Sequence, residues 1–189
     1  MVQSLQIALK EWDVVCQAMG DGQQIILLRK GGIAEAAGGF ELEHPQFLFF
    51  PTFVHQNAGM LKPQWQDKVQ RLAEEPTKVK LALAGEITDI VKLQSREQMQ
   101  RTDGSHIWSD ALIDMRFNYR PWNPLYLLLV RVYRLASVGE VENTAAYAGC
   151  KSWVPLERAI DCAGATPVLD DLAYASLRAK LLEQIEISE

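Results

Sequence analysis

The chain has little from which to build covalent or metal-held structure, with three cysteines and three histidines in 189 residues. Cys16, Cys150 and Cys162 are odd in number and contain no C-x-x-C pair. That excludes a disulfide framework and a cysteine-rich zinc site, and predicts reduced, mostly buried thiols. His44, His55 and His106 are scattered, with no second histidine four residues along a helix, so neither a metal nor a cofactor is expected. Long apolar runs are also missing. Leu125 to Val130 and Phe47 to Phe50 fall far short of the roughly 20 residues that cross a bilayer. The first residues lack the basic segment, apolar run and small-residue cleavage site of a signal peptide, so a cytoplasmic protein with no membrane partner is expected. P-loop spacing, G-x-G-x-x-G and G-x-S-x-G are absent, and no catalytic residue can be named. The net charge of -5 opposes non-specific coating of nucleic acid by the whole surface, yet such binding needs only a local basic face.

What is present suits one core. At 48% hydrophobic, with no like-charge block or low-complexity linker, residues 1–189 read as a single domain. Helical turns over Ser4 to Lys10 are followed by a strand at Trp12 to Cys16. Gly20-Asp21-Gly22 then reads as a hairpin turn into Gln24 to Leu28. After a glycine-rich loop over Gly31 to Gly39, Phe40 to Glu43 and Gln46 to Phe50 read as strands. Pro63 opens an amphipathic helix through Trp65, Val69 and Leu72 that stops at Pro76. Lys78 to Leu93 is a strand with a bulge expected at Gly85, and Ser95 with Gln98 forms a capping box. A further helix covers Trp108 to Phe117, and Leu125 to Leu135 is the central strand. Thr166-Pro167 opens a long C-terminal helix whose apolar stripe includes Leu169, Leu172, Leu177 and Leu181. The fold class is therefore mixed α/β: a mixed, barrel-like sheet with flanking helices and a long C-terminal helix.

Polar groups gather where strands end. One strand runs into Arg29-Lys30-Gly31-Gly32, a pair of cations beside accessible amides, and another runs into Pro51-Thr52 and then His55-Gln56. Arg116-Phe117-Asn118-Tyr119-Arg120-Pro121-Trp122 interleaves basic and aromatic side chains, and Lys151 with Trp153 extends that character. Such a surface neutralises phosphates and stacks unpaired bases. The expected nucleic-acid contacts are Arg29, Lys30, Arg116, Arg120 and Lys151 to phosphates, Tyr119 and Trp122 to bases, and His55 and Gln56 to a base or sugar edge. The partner is DNA or RNA.

Two other classes stay open. A metal-dependent hydrolase, most plausibly a nuclease, would use Glu35, Glu41, Glu43 or His55 at this rim, or Asp89 with Lys92. A protein-interaction scaffold would dock a protein partner on the terminal helix.

Five strings carry a family likeness: Glu11-Trp12, Leu27 through Ile33 with Glu35, Phe50-Pro51-Thr52 with His55-Gln56, Pro124 through Tyr133, and Gly149 through Trp153. Together they resemble an uncharacterised bacterial, largely cyanobacterial, domain-of-unknown-function family. Some of its members are linked to restriction-endonuclease-like domains. The resemblance implies a role around nucleic acid and brings no catalytic residues with it. A weaker likeness is to ASCH domains, which are PUA-like barrels with the motif G-x-K-x-x-E-x-R. Gly22 and Arg29 match that motif, while Gln24 and Leu27 stand where it has lysine and glutamate.

Overall fold

In the computed structural model, residues 2–30, 35–36, 39–40, 44–149 and 151–186 are described. Seven strands make one mixed sheet: β1 (Ser4–Trp12), β2 (Ile26–Lys30), β5 (Gln46–Thr52), β6 (Lys78–Leu93), β7 (Leu125–Glu142), β8 (Trp153–Asp161) and β9 (Thr166–Pro167). β3 (Glu35–Ala36) and β4 (Gly39–Phe40) pair with each other. The helices are α1 (Asp13–Gly20), α2 (Pro63–Gln66), α3 (Arg96–Arg101), α4 (Asp110–Asn118) and α5 (Asp171–Glu186). Across the sheet the order is β2-β7-β6-β5-β1-β8, with β9 also on β7, and the β1–β5 pair alone among these is parallel.

The sheet curls but does not close. No backbone ladder joins β8 to β7 among the described residues. The two approach through side chains. Ile160 fills the space beside Gly139, where an added Cβ would stand 2.8 Å from Ile160 Cγ2, and the Arg158 guanidinium donates to the Glu140 carbonyl at 2.7 Å. The barrel-like curl of the sequence reading is thus present without a hydrogen-bonded seam.

Two apolar cores lie along this sheet. One joins β2, the first half of β7 and the Leu83-to-Leu93 half of β6 to all five helices, with Met19, Leu27, Met99, Ile113, Leu128 and Leu181 among its buried members. The second lies inside the curl, where Leu48, Phe50, Leu81, Tyr147, Val154 and Ile160 meet. Register shifts in the β6–β7 ladder fall between Leu81 and Leu83 and between Ile87 and Asp89. They bend the pair from one core to the other, as bulges do. Gly85 is not the bulge. It leaves room for Phe47 and Val130, whose atoms would lie 2.7 and 2.9 Å from an added Cβ.

The N-terminal elements reverse the sequence reading. Ser4–Trp12 is a strand because both its edges are paired, with β5 on one side and β8 on the other. A register shift between Leu5 and Ile7 hides its alternation. Asp13–Gly20 is a helix despite Val14 and Val15. Gln56 Oε1 accepts the Val14 amide at 2.8 Å, Asp13 accepts from Gln17 one turn on at 2.6 Å, and Val14, Val15, Ala18 and Met19 are all buried. Tertiary burial outweighs their weak helix propensity. Gly22, at φ +70°, follows the helix end rather than turning a hairpin, and β2 pairs with β7.

Three other boundaries shift. The Pro63 helix lasts four residues, because Trp65 is buried while Leu72 is exposed and has no core to face. Thr166–Pro167 is a strand on β7, and α5 is capped by Asp170, whose carboxylate accepts the Ala173 amide at 2.8 Å. The buried face of α5 carries Tyr174, Leu181 and Ile185, while Leu172 is 82% exposed. Of the expected strand Phe40 to Glu43, Phe40 lies in β4, and Glu41 to Glu43 fall outside the described residues. β5, β6, α4 and α3 with its Ser95–Gln98 capping box match closely, β7 starts at Leu125 as expected but runs past Leu135 to Glu142, and β8 has no counterpart among the expected strands.

This packing bears on stability at two places. Gly85→Ala forces a methyl into the Phe47 ring and is expected to cost about 1–3 kcal/mol. The check is the urea midpoint at unchanged m-value, and an unshifted midpoint would show that the neighbours yield freely. His106 is buried against Trp108, with ring centroids 5.3 Å apart. Burial first, and then Lys62, hold its pKa down to about 4, outweighing the opposing influence of Asp103 and the nearby backbone of Trp108 and Met99. An unfolded imidazole protonates near 6.5 and the folded one near 4, so in that window the unfolded state binds more protons. Stability should therefore fall as pH drops from 6.5 to 4, by about 3 kcal/mol from this group. Chemical denaturation across that range should show His106→Phe losing correspondingly less, and parallel pH profiles for the two proteins would refute the assignment.

Candidate functional site

The parallel pairing of β1 with β5 sets Glu11 beside Pro51 and Trp12 beside Thr52, so both strands deliver their last residues to one rim. There they border a cleft of about 700 Å³. β2 adds Arg29, the last turn of α4 adds Arg116, the segment after β5 adds His55, and the loop between β7 and β8 adds Thr144, Tyr147 and Lys151.

The cleft carries a buried ion pair, Arg29 Nη1 to Glu11 Oε2 at 2.9 Å, with each side chain 9% exposed. The other oxygen of Glu11 accepts the Trp12 amide at 2.8 Å, and Arg29 also donates to the Lys10 carbonyl at 3.1 Å. This pair is electrically balanced and ties β2 to β1. Arg116 is different. Among the described residues its guanidinium has no hydrogen-bond or ion-pair partner, and its Nε is sealed from solvent. Burial lowers its pKa; Glu11 opposes that shift and Arg29 reinforces it. The C-terminal end of α4 favours the cation but supplies only a fractional charge. Arg29 Nε and Thr144 Oγ1 are likewise sealed and without partners. Three residues lining one cleft thus hold polar atoms that native interiors normally satisfy.

The walls are tied down. The Glu75 carboxylate accepts the Phe53 and Val54 amides, each at 3.0 Å. Asn143 donates from its side chain to the Pro76 carbonyl at 2.9 Å and from its backbone to the Thr77 carbonyl at 2.7 Å, which joins the segment before β6 to the loop after β7. Lys10 donates to the carbonyls of Tyr147 and Gly149.

Arg29, His55, Arg116 and Lys151, drawn from four separate stretches of sequence, therefore meet in one cleft. Gln56 is buried, its amide spent on the Val14 amide and the Gln70 carbonyl, and it positions the loop that carries exposed His55. Lys30 donates to the Phe117 carbonyl at 3.0 Å and, with Lys92 and Trp122, lines a second groove of about 290 Å³. Trp122 is 78% and Tyr119 53% exposed. The Arg120 guanidinium lies 5.2 Å from the Tyr119 ring centroid, on a backbone with φ 44°. That φ is uncommon for a residue with a side chain. Trp153 packs on Phe47 in the core instead.

The other candidates sit elsewhere. Asp89 pairs with Arg178 of α5, through Nε at 2.6 Å and through Nη2, rather than with Lys92. Among the described residues no three His, Cys, Asp or Glu side chains form a group able to hold a metal. Glu41, Glu43, the Gly31-Gly32 turn and Cys150 lie outside the described residues, as does the side chain of Glu35. Cys16 and Cys162 are buried free thiols, and burial is the main cause raising the pKa of each. Glu75 and Thr144 escaped the sequence reading, and Glu11 entered it only in the family likeness, because no local pattern marks them as site residues. Each gains its place from a partner or neighbour distant in sequence.

No curated protein matches the chain. The crystal structure of ASCH from Zymomonas mobilis is similar at a TM-score of 0.45 and 11% identity, covering 92% of this chain and 93% of that one. A point variant of the same protein gives a TM-score of 0.45 and 11% identity, over 92% of this chain and 94% of the other. The family model described as a domain of unknown function, DUF1802, matches residues 8–180, and the chain belongs to that family.

Proposed function

We propose that this protein is a nucleic-acid-binding module that holds phosphate in the Arg116 cleft and stacks unpaired bases on the neighbouring aromatic residues. The observation that carries this reading is the half-buried Arg116 guanidinium, which lines the cleft with no hydrogen-bond or ion-pair partner among the described residues. An anion would complete it, and phosphate suits its planar array of donors. Lys151 and His55 extend the cleft toward solvent. Tyr119 and Trp122 follow Arg116 within six residues and are exposed, where rings stack on bases of any sequence. The geometry favours single strands, because unpaired bases present the faces that such rings need. Lys30 and Lys92 offer further cations in the groove that Trp122 lines.

Binding to labelled single-stranded and duplex DNA and RNA, followed by fluorescence anisotropy against salt, tests the reading. Single strands should bind more tightly, with affinity falling steeply as salt rises. Arg116→Ala with Lys151→Ala should weaken binding to every sequence and flatten the slope of log affinity against log salt, by roughly 0.7 for each phosphate charge no longer neutralised. Trp122→Ala should cost about 1–3 kcal/mol while leaving that slope alone. Salt-insensitive binding, or an unchanged slope in the double variant, would remove this cleft from the function.

A further inference from the structure

We infer that the cleft recognises the terminal phosphomonoester of a single strand rather than an internal phosphodiester. The inference rests on the nucleic-acid reading and deepens it. Its first support is charge balance. The cleft is lined by four cations, Lys10, Arg29, Arg116 and Lys151, and two carboxylates, Glu11 and Glu75, which leaves an excess of two positive charges. An internal diester brings one negative charge. A terminal phosphate brings about 1.5 to 2 negative charges at neutral pH, with three strong acceptor oxygens. An excess of two positive charges matches the second better.

The donor set gives the same answer. Arg116 and Lys151 come from two sides of the cleft, α4 and the loop after β7. A forked guanidinium can hold two oxygens while the ammonium takes a third, and a terminal phosphate has three non-bridging oxygens where a diester offers two. Access provides a third, independent support. The segment Glu75 to Thr77 and the loop that begins at Asn143 both line the cleft and are hydrogen-bonded to each other through the side chain and backbone of Asn143. The Glu75 carboxylate stands on this wall, held by the Phe53 and Val54 amides. A strand threading along this wall would carry further phosphates past a carboxylate. A strand end need only enter.

The test uses the whole protein and one single-stranded sequence in three forms: with a 5′-phosphate, with a 3′-phosphate and with hydroxyls at both ends. Either phosphate-ended form should bind at least tenfold more tightly than the hydroxyl-ended one. Arg116→Gln should collapse that ratio toward one, and Lys151→Ala, an exposed substitution that keeps the fold, should reduce it. Trp122→Ala should weaken all three probes alike and preserve the ratio. Equal binding of all three forms by the wild-type protein would overturn the inference and leave the nucleic-acid reading standing, while no binding to any of them would remove both. A nucleoside monophosphate that displaces the phosphorylated probe with the probe's own affinity would assign the cleft to free nucleotides and likewise overturn recognition of a strand end.

Discussion

The antiparallel ladder between β6 and β7 is the constraint on which the remaining architecture depends. Its strands, of 16 and 18 residues, are long for a globular sheet and must serve two cores. A straight ladder would hold one face against the helices along its whole length. Two register shifts rotate it, so that Leu83, Ile87 and Leu93 meet the helices while Val79, Leu81 and Ala84 enter the curl. Everything that shapes the cleft is referred to this frame: β5 pairs with β6, β1 with β5, and β2 with β7. The cleft is therefore a property of where strands stop.

Electrostatics at the rim divides into parts with different tasks. Glu11 and Arg29 lose water together and largely compensate each other, fixing two strand ends at the expense of their availability to a ligand. Glu75 is satisfied by backbone amides. Arg116, half-buried beside them, has no hydrogen-bond or ion-pair partner among the described residues.

Much of the frame was legible in the sequence. Lys78 to Leu93 alternates, Ser95 and Gln98 cap α3, and the apolar run from Leu125 reads as an interior strand, because each signal is local. The swap of helix and strand across Trp12 has a different origin. Val14 and Val15 favour a strand locally, but the amide of Gln56, 42 positions away, caps a helix over them. Distance limits the reading of the site in the same way. Arg29, His55, Arg116 and Lys151 were recognisable as types placed after strands or among aromatics, whereas Glu75 and Thr144 acquire meaning only from the folded chain. The likeness of five separated strings to a domain-of-unknown-function family was also legible, since it needs no knowledge of contacts.

Gln56 places a chemical restriction on the loop that holds His55. Its side chain accepts one backbone N–H and donates to one backbone carbonyl, joining the start of α1 to Gln70 through a single planar group. A carboxylate could do only the first, and an ammonium only the second. The start of a core helix and a wall of solvent-exposed chain are thus fastened by the same carboxamide. Replacing that carboxamide by Glu or Lys would therefore release one of the two segments from the loop that carries His55.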